Sequence, residues 1–381
     1  MLAITNVHII LIDNIIFDGS LLIENGRIAM YGRTRTVNIP KEAQVFDGEG
    51  GYLAPGLVDI HSHSGGIHWF YENPQNATTA HLRHGTTSIL PALYFNLTQD
   101  EYILGIQSIR EASTKDTGRI IRGIYLEGPY LNPKFGCDAD NNQWAGSIIR
   151  EEYLPVLEAA AGFAKVVCIA PERDGISGFV DDVKRLMPDV RLAVAHSEAS
   201  PQEVESFIPK GLVIATHHTN ATGDRVKYPE VRGVCVDEAV NYNNAIYAEL
   251  ICDEYGIHVD PYMLRLIRKI KGDDRLILVS DACVFDGPIP DGYDGVTDIN
   301  FDNVGEIAGS KLTLDRACAN MMRHTGAGLC DIFKFAAANP ARAVGLSDRG
   351  QIHPGAIADL ILVDHRMNVR KVFLEGNPVN L

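Results

Sequence analysis

The sequence has no excess of positive charge: 34 Lys and Arg against 49 Asp and Glu leave a formal net charge of −15. Phosphate backbones and anionic membrane surfaces need the opposite balance, so nucleic acid and membrane are excluded as main partners. An anionic small molecule is still allowed, because a local basic cluster is enough to hold one. Paired cysteines are missing too. The seven cysteines (Cys137, Cys168, Cys235, Cys252, Cys283, Cys318 and Cys330) are odd in number, scattered and without a C-x-x-C spacing. That speaks against a disulfide framework and a redox dithiol, and fits reduced thiols in a cytoplasmic protein. No run approaches the roughly 18 uninterrupted apolar residues of a membrane helix. The opening Met1-Leu2-Ala3-Ile4-Thr5-Asn6 has no basic segment leading into an apolar one, so a soluble intracellular protein is expected. G-x-S-x-G does not occur and no cysteine sits in a catalytic signature, which leaves serine and cysteine nucleophiles unsupported. Repeats, low-complexity tracts and coiled-coil heptads are absent as well.

What remains is a chain of 381 residues, 46% hydrophobic, long enough to bury one large core. Residues 1–52 form short alternating runs, such as Val7-His8-Ile9-Ile10-Leu11-Ile12 and Ser20-Leu21-Leu22-Ile23-Glu24, separated by Asp18-Gly19, Asn25-Gly26 and Asp47-Gly48. Asn-Gly between two β-like runs is a strong hairpin signal. The same texture returns in Ala358-Asp359-Leu360-Ile361-Leu362-Val363-Asp364 and Val372-Phe373-Leu374-Glu375-Gly376-Asn377. Neither end can bury a core alone, so residues 1–52 and 351–381 are expected to join as one small β-sandwich domain.

Residues 53–350 have another rhythm. Apolar β-like runs at 53–61, 86–93, 120–126, 164–170, 191–195, 212–216, 245–251 and 276–280 alternate with amphipathic stretches that include 101–113, 177–187, 200–208, 261–271 and 329–338. Strands alternating with helices imply parallel crossovers, and eight of them predict a (β/α)8 TIM barrel of the α/β class.

The chemistry-bearing residues fall at the C-terminal ends of those runs, where such barrels build their sites. His61 and His63 end the first, and as i and i+2 on a strand their rings share one face. Glu127 ends the third, His196 the fifth, His217 the sixth and Asp281 the eighth. A single strand-end histidine is usually a hydrogen-bonded core residue; six such groups on one rim are hard to explain that way. Imidazoles with a carboxylate suit a borderline divalent ion such as Zn²⁺. Such an ion acidifies water and polarises a carbonyl, and Asp281 can carry a proton from the water to a leaving nitrogen. The pattern predicts a metallohydrolase of amides or one that deaminates bases.

With those segments in view, the chain resembles the amidohydrolase superfamily and, within it, the deacetylases of N-acetylamino sugar phosphates. The resemblance spans essentially the whole length. It is carried by Ala54-Pro55-Gly56-Leu57-Val58-Asp59-Ile60-His61-Ser62-His63, by Leu126-Glu127-Gly128-Pro129-Tyr130-Leu131-Asn132-Pro133, and by Ala195-His196-Ser197 and Thr216-His217. Asn220-Ala221, Val279-Ser280-Asp281-Ala282, Ala308-Gly309-Ser310-Lys311-Leu312-Thr313 and Asn339-Pro340-Ala341-Arg342-Ala343-Val344-Gly345-Leu346 continue it. Leu-Glu-Gly-Pro is the specific part. In this family a strand-three Glu is a metal ligand where cyclic-amidase relatives use a carboxylated Lys on strand four. Here Val166-Val167-Cys168-Ile169-Ala170-Pro171 offers no Lys at the strand end.

The resemblance implies that Glu127, His196 and His217 hold the main divalent metal, with Zn²⁺ favoured, and that His61 and His63 complete a second site. It makes Asp281 the catalytic acid–base, His258 a substrate-holding residue, and Asn220 with Ala221 contacts to the sugar phosphate. The family's phosphate-binding arginine corresponds to Arg225 or to its competitor Arg232; His218 has no counterpart. The implied activity is removal of acetyl from an N-acetylamino sugar, N-acetylglucosamine 6-phosphate foremost, by a homodimer. N-acetylgalactosamine 6-phosphate or another N-acyl amino compound is the alternative within enzymes. A metal-retaining binding protein without turnover is the alternative outside them, and retention of every ligand and of Asp281 speaks against it. Two departures fall in the substrate region. Lys134-Phe135-Gly136-Cys137-Asp138 lacks the family's histidine after Lys-Gly-Ala, and the loop Thr222-Gly223-Asp224-Arg225-Val226-Lys227-Tyr228-Pro229 differs in sequence.

Overall fold

The computed structural model of the chain describes residues 1–223 and 228–380. Eight strands follow one another in chain order around a barrel: Leu57–Ser62, Thr86–Tyr94, Ile124–Glu127, Ala164–Ile169, Arg191–Val194, Leu212–Ala215, Tyr247–Ile251 and Leu276–Val279. Every neighbouring pair is parallel. Among the described residues no ladder joins the eighth strand to the first. Near the rim the gap is bridged by Asp281 N–H donating to the His61 carbonyl at 2.9 Å and His63 N–H to that of Ala282 at 2.8 Å. Deeper in the seam, Asp59 Oδ1 accepts from the backbone N–H groups of His61 and Ser280 at 3.3 Å each. Closure therefore fixes the two strands that carry His61, His63 and Asp281 against each other.

The helices between the strands start where local chemistry dictates. Thr98 accepts from Glu101 N–H and Glu101 returns a bond to Thr98 N–H, opening the helix Gln99–Ala112. Ser200 and Glu203 repeat the device for Pro201–Phe207, with the proline at the first helical position. Pro261–Lys271 stops at Gly272. The stretch expected as one helix over 329–338 divides into Leu329–Phe333 and a wider π turn, Lys334–Ala338. The third barrel strand, expected from residue 120, begins at Ile124. Asp116–Ile120 winds instead into a 3-10 turn whose Gly118 N–H is held by Gln75 at 3.1 Å, and the buried Ile120 and Ile121 pack the barrel floor. Their apolar character reads as strand, while a side-chain cap decides the backbone.

The two ends of the chain build one seven-stranded sheet. Leu2–Ile10 lies between Ile15–Glu24, antiparallel, and Gln44–Pro55, parallel; Leu360–Val363 then pairs antiparallel with Gln44–Pro55. The Asn25-Gly26 turn has φ of 50° and 76°, the left-handed pair that a tight hairpin requires. Alternation along Leu360–Val363 sorts its side chains. Leu360 and Leu362 join Ile4, Ile9, Leu21 and Phe373 in a small core, whereas Ile361 and Val363 face the barrel core. Leu360–Val363 is thus covered on both faces, and Gln44–Pro55 leads through Gly56 straight into the first barrel strand.

Candidate active site

Six side chains from five strand ends converge at the C-terminal mouth. Glu127 Oε1 lies 2.8 Å from His196 Nε2 and 3.0 Å from His217 Nε2, and those two nitrogens are 3.1 Å apart. The other oxygen, Oε2, is 3.1 Å from His63 Nε2 and 3.7 Å from His61 Nε2. Asp281 Oδ1 closes the set at 3.2 Å from His63 Nε2 and 3.5 Å from His61 Nε2. One carboxylate is therefore shared by two imidazole pairs, and all six groups are buried. Presenting them bends the backbone: His196, His217 and Asp281 have φ of 42°, 29° and 46°, conformations that non-glycine residues adopt at a cost of order 1–3 kcal/mol each. Asp281 is held in its bend by Ser310 N–H, which donates to its carbonyl at 2.8 Å. The adjoining Gly309 is obligatory, since a Cβ there would come within 2.6 Å of that oxygen.

The charge balance explains what this cluster can hold. Burial pushes the Glu127 carboxyl up, but hydrogen bonds from His196 and His217 and the nearby rings of His61 and His63 outweigh it and keep it well below the usual carboxylate range. Burial likewise raises Asp281, and the neighbouring His61, His63 and His217 bring it below its ordinary value. For His61 burial opposes protonation, yet Asp281, Glu127 and Glu249 together hold the ring above the normal imidazole value. Buried carboxylates need nearby positive charge; protonated rings provide it in one state and a divalent cation in another. The donor set fits such an ion. Imidazole nitrogens and carboxylate oxygens about 3 Å apart are spaced as ligands around a centre with bonds of about 2.0–2.2 Å. His61, His63 and Glu127 form one such group, and Glu127, His196 and His217 a second. His61 Nε2 is buried without a hydrogen-bond partner and faces the cluster.

Above the cluster opens a cavity of about 320 Å³ lined by His63, Glu127, His196, His217, Asp281, Asn220, Ala221 and His258. Trp69, Tyr94, Phe95, Phe135 and Phe285 form its aromatic wall, with the Trp69 and Tyr94 rings stacked 5.7 Å apart. His258 Nδ1 lies 3.3 Å from Asp253 Oδ2, and its Nε2 is buried and unpartnered. Burial raises the Asp253 carboxyl, but His258 and the N–H groups of Ile257 and His258 bring it down to about 2. Asn220, Ala221 and His258 thus share the cavity with the six rim residues. Arg225 and Lys227 lie outside the described residues. Arg232 does not line the cavity; it is an exposed side chain 2.7 Å from Glu238. His218 turns from the cluster to Asn241 at 3.1 Å.

Lys134, Phe135, Gly136 and Cys137 line the cavity, so that departure from the family pattern faces the substrate side. Asp138 is tied into the loop, accepting from Asn96 at 2.8 Å and Asn141 at 2.6 Å. Two residues behind the cluster escaped sequence reasoning: Glu249, 3.2 Å from His61 Nδ1, and Tyr125, whose ring stacks on His61 at 4.5 Å. Glu249 carried a legible signal, since a lone acid inside an apolar barrel strand is seldom buried without a partner.

A parallel barrel with a histidine–carboxylate cluster at its C-terminal mouth defines an amidohydrolase. The model of the Amidohydrolase family matches residues 52–379, and the chain belongs to that family. Among curated relatives, the N-acetylglucosamine-6-phosphate deacetylase of Bacillus subtilis (strain 168) is 25% identical over 403 residues, covering 99% of this chain and 96% of its own. The N-acetylgalactosamine-6-phosphate deacetylase of Escherichia coli O157:H7 is 25% identical over 358 residues, covering 88% and 90%. Among solved structures, N-acetyl-D-glucosamine-6-phosphate deacetylase from Mycobacterium smegmatis superposes with a TM-score of 0.82 at 25% identity, covering 100% of both chains. A variant of that protein in complex with N-acetyl-D-glucosamine-6-phosphate gives 0.80 at 25% identity, covering 99% and 98%.

Proposed function

We propose that the protein hydrolyses the acetamide of an N-acetylamino sugar phosphate, N-acetylglucosamine 6-phosphate giving glucosamine 6-phosphate and acetate. The observation that carries the reading is Asp281, 3.2 Å from His63 within a buried cluster built around Glu127. In this reading Glu127, His196 and His217 hold one divalent ion, Zn²⁺ by ligand type, and His61 and His63 with Glu127 hold a second. A bound ion polarises the amide carbonyl and acidifies water. Asp281 takes the proton of the attacking water as the new C–O bond forms and returns it to the sugar nitrogen as the C–N bond breaks. His258, its Nδ1–H directed to Asp253, offers Nε2 to a substrate hydroxyl, while Asn220 and Ala221 flank the sugar phosphate. The aromatic wall keeps bulk water from the reacting carbonyl. The galactosamine isomer is the second reading, supported by the Escherichia coli relative at the same identity.

The test is acetate release from N-acetylglucosamine and N-acetylgalactosamine, each with and without 6-phosphate. The expected order puts N-acetylglucosamine 6-phosphate first. Arg225→Ala should raise KM for the phosphorylated sugar ten- to a hundredfold, the scale of a lost charge-assisted contact, and leave the unphosphorylated one nearly unchanged, with Arg232→Ala as control. Equal turnover of all four sugars would remove the phosphate from the assignment, and no acetate from any would remove the activity.

A further inference from the structure

We propose that Glu249 is a positioning residue that fixes the ring orientation and tautomer of His61, and through them makes the His61–His63–Glu127 group able to bind an ion. The inference rests on the metal-dependent reading above.

Glu249 lies in the seventh barrel strand and is fully buried. Three donors converge on its carboxylate. His61 Nδ1 lies 3.2 Å and the backbone N–H of His217 3.4 Å from Oε2, and the Tyr125 hydroxyl donates to Oε1 at 3.1 Å. The backbone carbonyl of Glu249 also accepts from His218 N–H at 2.7 Å. One residue thus touches the backbone that presents His217 and the side chain of His61. Tyr125 completes the brace: its ring lies nearly parallel to His61, 17° apart, and its hydroxyl is 2.7 Å from Thr216 Oγ1. The face of the His61 ring is blocked and one edge is engaged, so the ring cannot turn.

The consequence is chemical. A neutral imidazole has one N–H, and a carboxylate can only accept. Glu249 takes that N–H at Nδ1, which leaves the lone pair on Nε2, the unpartnered nitrogen facing Glu127 and Asp281 at 3.7 and 3.5 Å. Without Glu249, those two carboxylates would draw the proton to Nε2, and a protonated Nε2 cannot ligate. Partners behind the ligands typically change metal affinity ten- to a hundredfold.

Two measurements on the full chain test this. In ¹⁵N-histidine-labelled protein stripped by chelator and brought to a pH at which the His61 ring has lost its second proton, long-range ¹H–¹⁵N spectra, with His61 assigned by His61→Ala, should show the Nδ1–H tautomer. Glu249→Leu should convert it to Nε2–H, and Tyr125→Phe should not. Co²⁺ titration followed by visible absorption should show the weaker-binding phase of Glu249→Gln shifted ten- to a hundredfold, with the phase that His196→Ala abolishes unchanged. Should Glu249→Leu fail to fold, Glu249→Ala, which likewise removes the acceptor, supplies the tautomer readout beside the Co²⁺ titration of Glu249→Gln. An unaltered tautomer with unaltered Co²⁺ affinities overturns the proposal, even if the variant melts at lower temperature. Wild type that takes up no Co²⁺ refutes the metal-dependent reading instead, while the tautomer spectra still decide the role of Glu249.

Discussion

At the scale of single residues, the six rim groups do two kinds of work. Glu127 contacts both imidazole pairs, whereas Asp281 contacts only the His61–His63 side. If Asp281 is the proton carrier, Asp281→Asn should lower kcat by roughly 10² or more and leave metal content intact; the check is kcat beside elemental analysis of the same sample. Metal loss in that variant would recast Asp281 as a ligand. These six were legible because strand-end histidines and acids recur at one edge of a periodic pattern. Glu249 was legible only as a lone acid in an apolar strand, and Tyr125 not at all, because the cross-barrel contacts that give both residues their partners leave no mark in local sequence. His81 is a histidine of the opposite sort. Burial lowers it from 6.5 to about 4, and its ring bonds the Ser64 carbonyl at 2.7 Å, supporting the loop after His63. Because the folded value lies below the unfolded one, the neutral ring's contribution is complete above pH 6.5 and disappears as pH falls toward 4. The loss approaches about 3 kcal/mol for this one group. Urea midpoints of wild type should therefore fall more steeply between pH 6.5 and 4.5 than those of His81→Gln; parallel curves would exclude His81 as the cause.

At the scale of elements, His196, His217 and Asp281 are delivered by sharp turns just past short strands, while His61 and Glu127 stand in the strands themselves, and the loops at this rim are tied to one another. Glu172, just beyond the fourth strand, accepts from Asn132 Nδ2 at 2.9 Å, Ser197 Oγ at 2.7 Å and Glu198 N–H at 2.8 Å. It links the loop after Glu127 to the turn that carries His196. Removing it leaves three partly buried donors unsatisfied. Glu172→Ala is expected to cost about 3 kcal/mol and to raise KM as the loop containing Lys134 to Cys137 loosens. Thermal melts and steady-state kinetics on one preparation check both effects; a normal melting temperature with normal KM would show that the link is dispensable. Apolar runs, turn residues and amphipathic periodicity made most strands and helices legible. The third strand's start was not, because Ile120 and Ile121 are equally apolar in a strand or packed beneath one. The Gln75 cap that settles the choice lies more than forty residues away in sequence.

At the scale of the whole molecule, the terminal sheet and the barrel are joined at the barrel floor, opposite the site. The matching texture of the two chain ends made their association legible. The joint itself was not, because it depends on which buried charges meet. Asp359 accepts from Arg122 at 3.3 Å, from Arg349 at 3.1 Å and from Glu375 N–H at 2.9 Å, while its carbonyl accepts from Gly56 N–H at 2.9 Å. Arg122 enters the third barrel strand, Gly56 begins the first, and Glu375 belongs to the C-terminal hairpin, so one carboxylate binds both units. Burial lowers the Arg122 guanidinium to about 10, a sign of how little water reaches it. Deleting one partner of a buried pair strands the other, typically at about 3–5 kcal/mol. Asp359→Ala should lower stability on that scale, read from urea midpoints, and Asp359→Asn by less because it keeps the acceptor for Glu375. The joint lies at the strands' N-terminal ends, whereas the cluster sits at their C-terminal ends. Folded Asp359→Ala at low temperature should therefore keep its metal content and nearly all of its kcat. A tenfold fall in kcat with an unchanged urea midpoint would reverse the argument, making the terminal sheet part of the catalytic apparatus rather than the support on which the barrel stands.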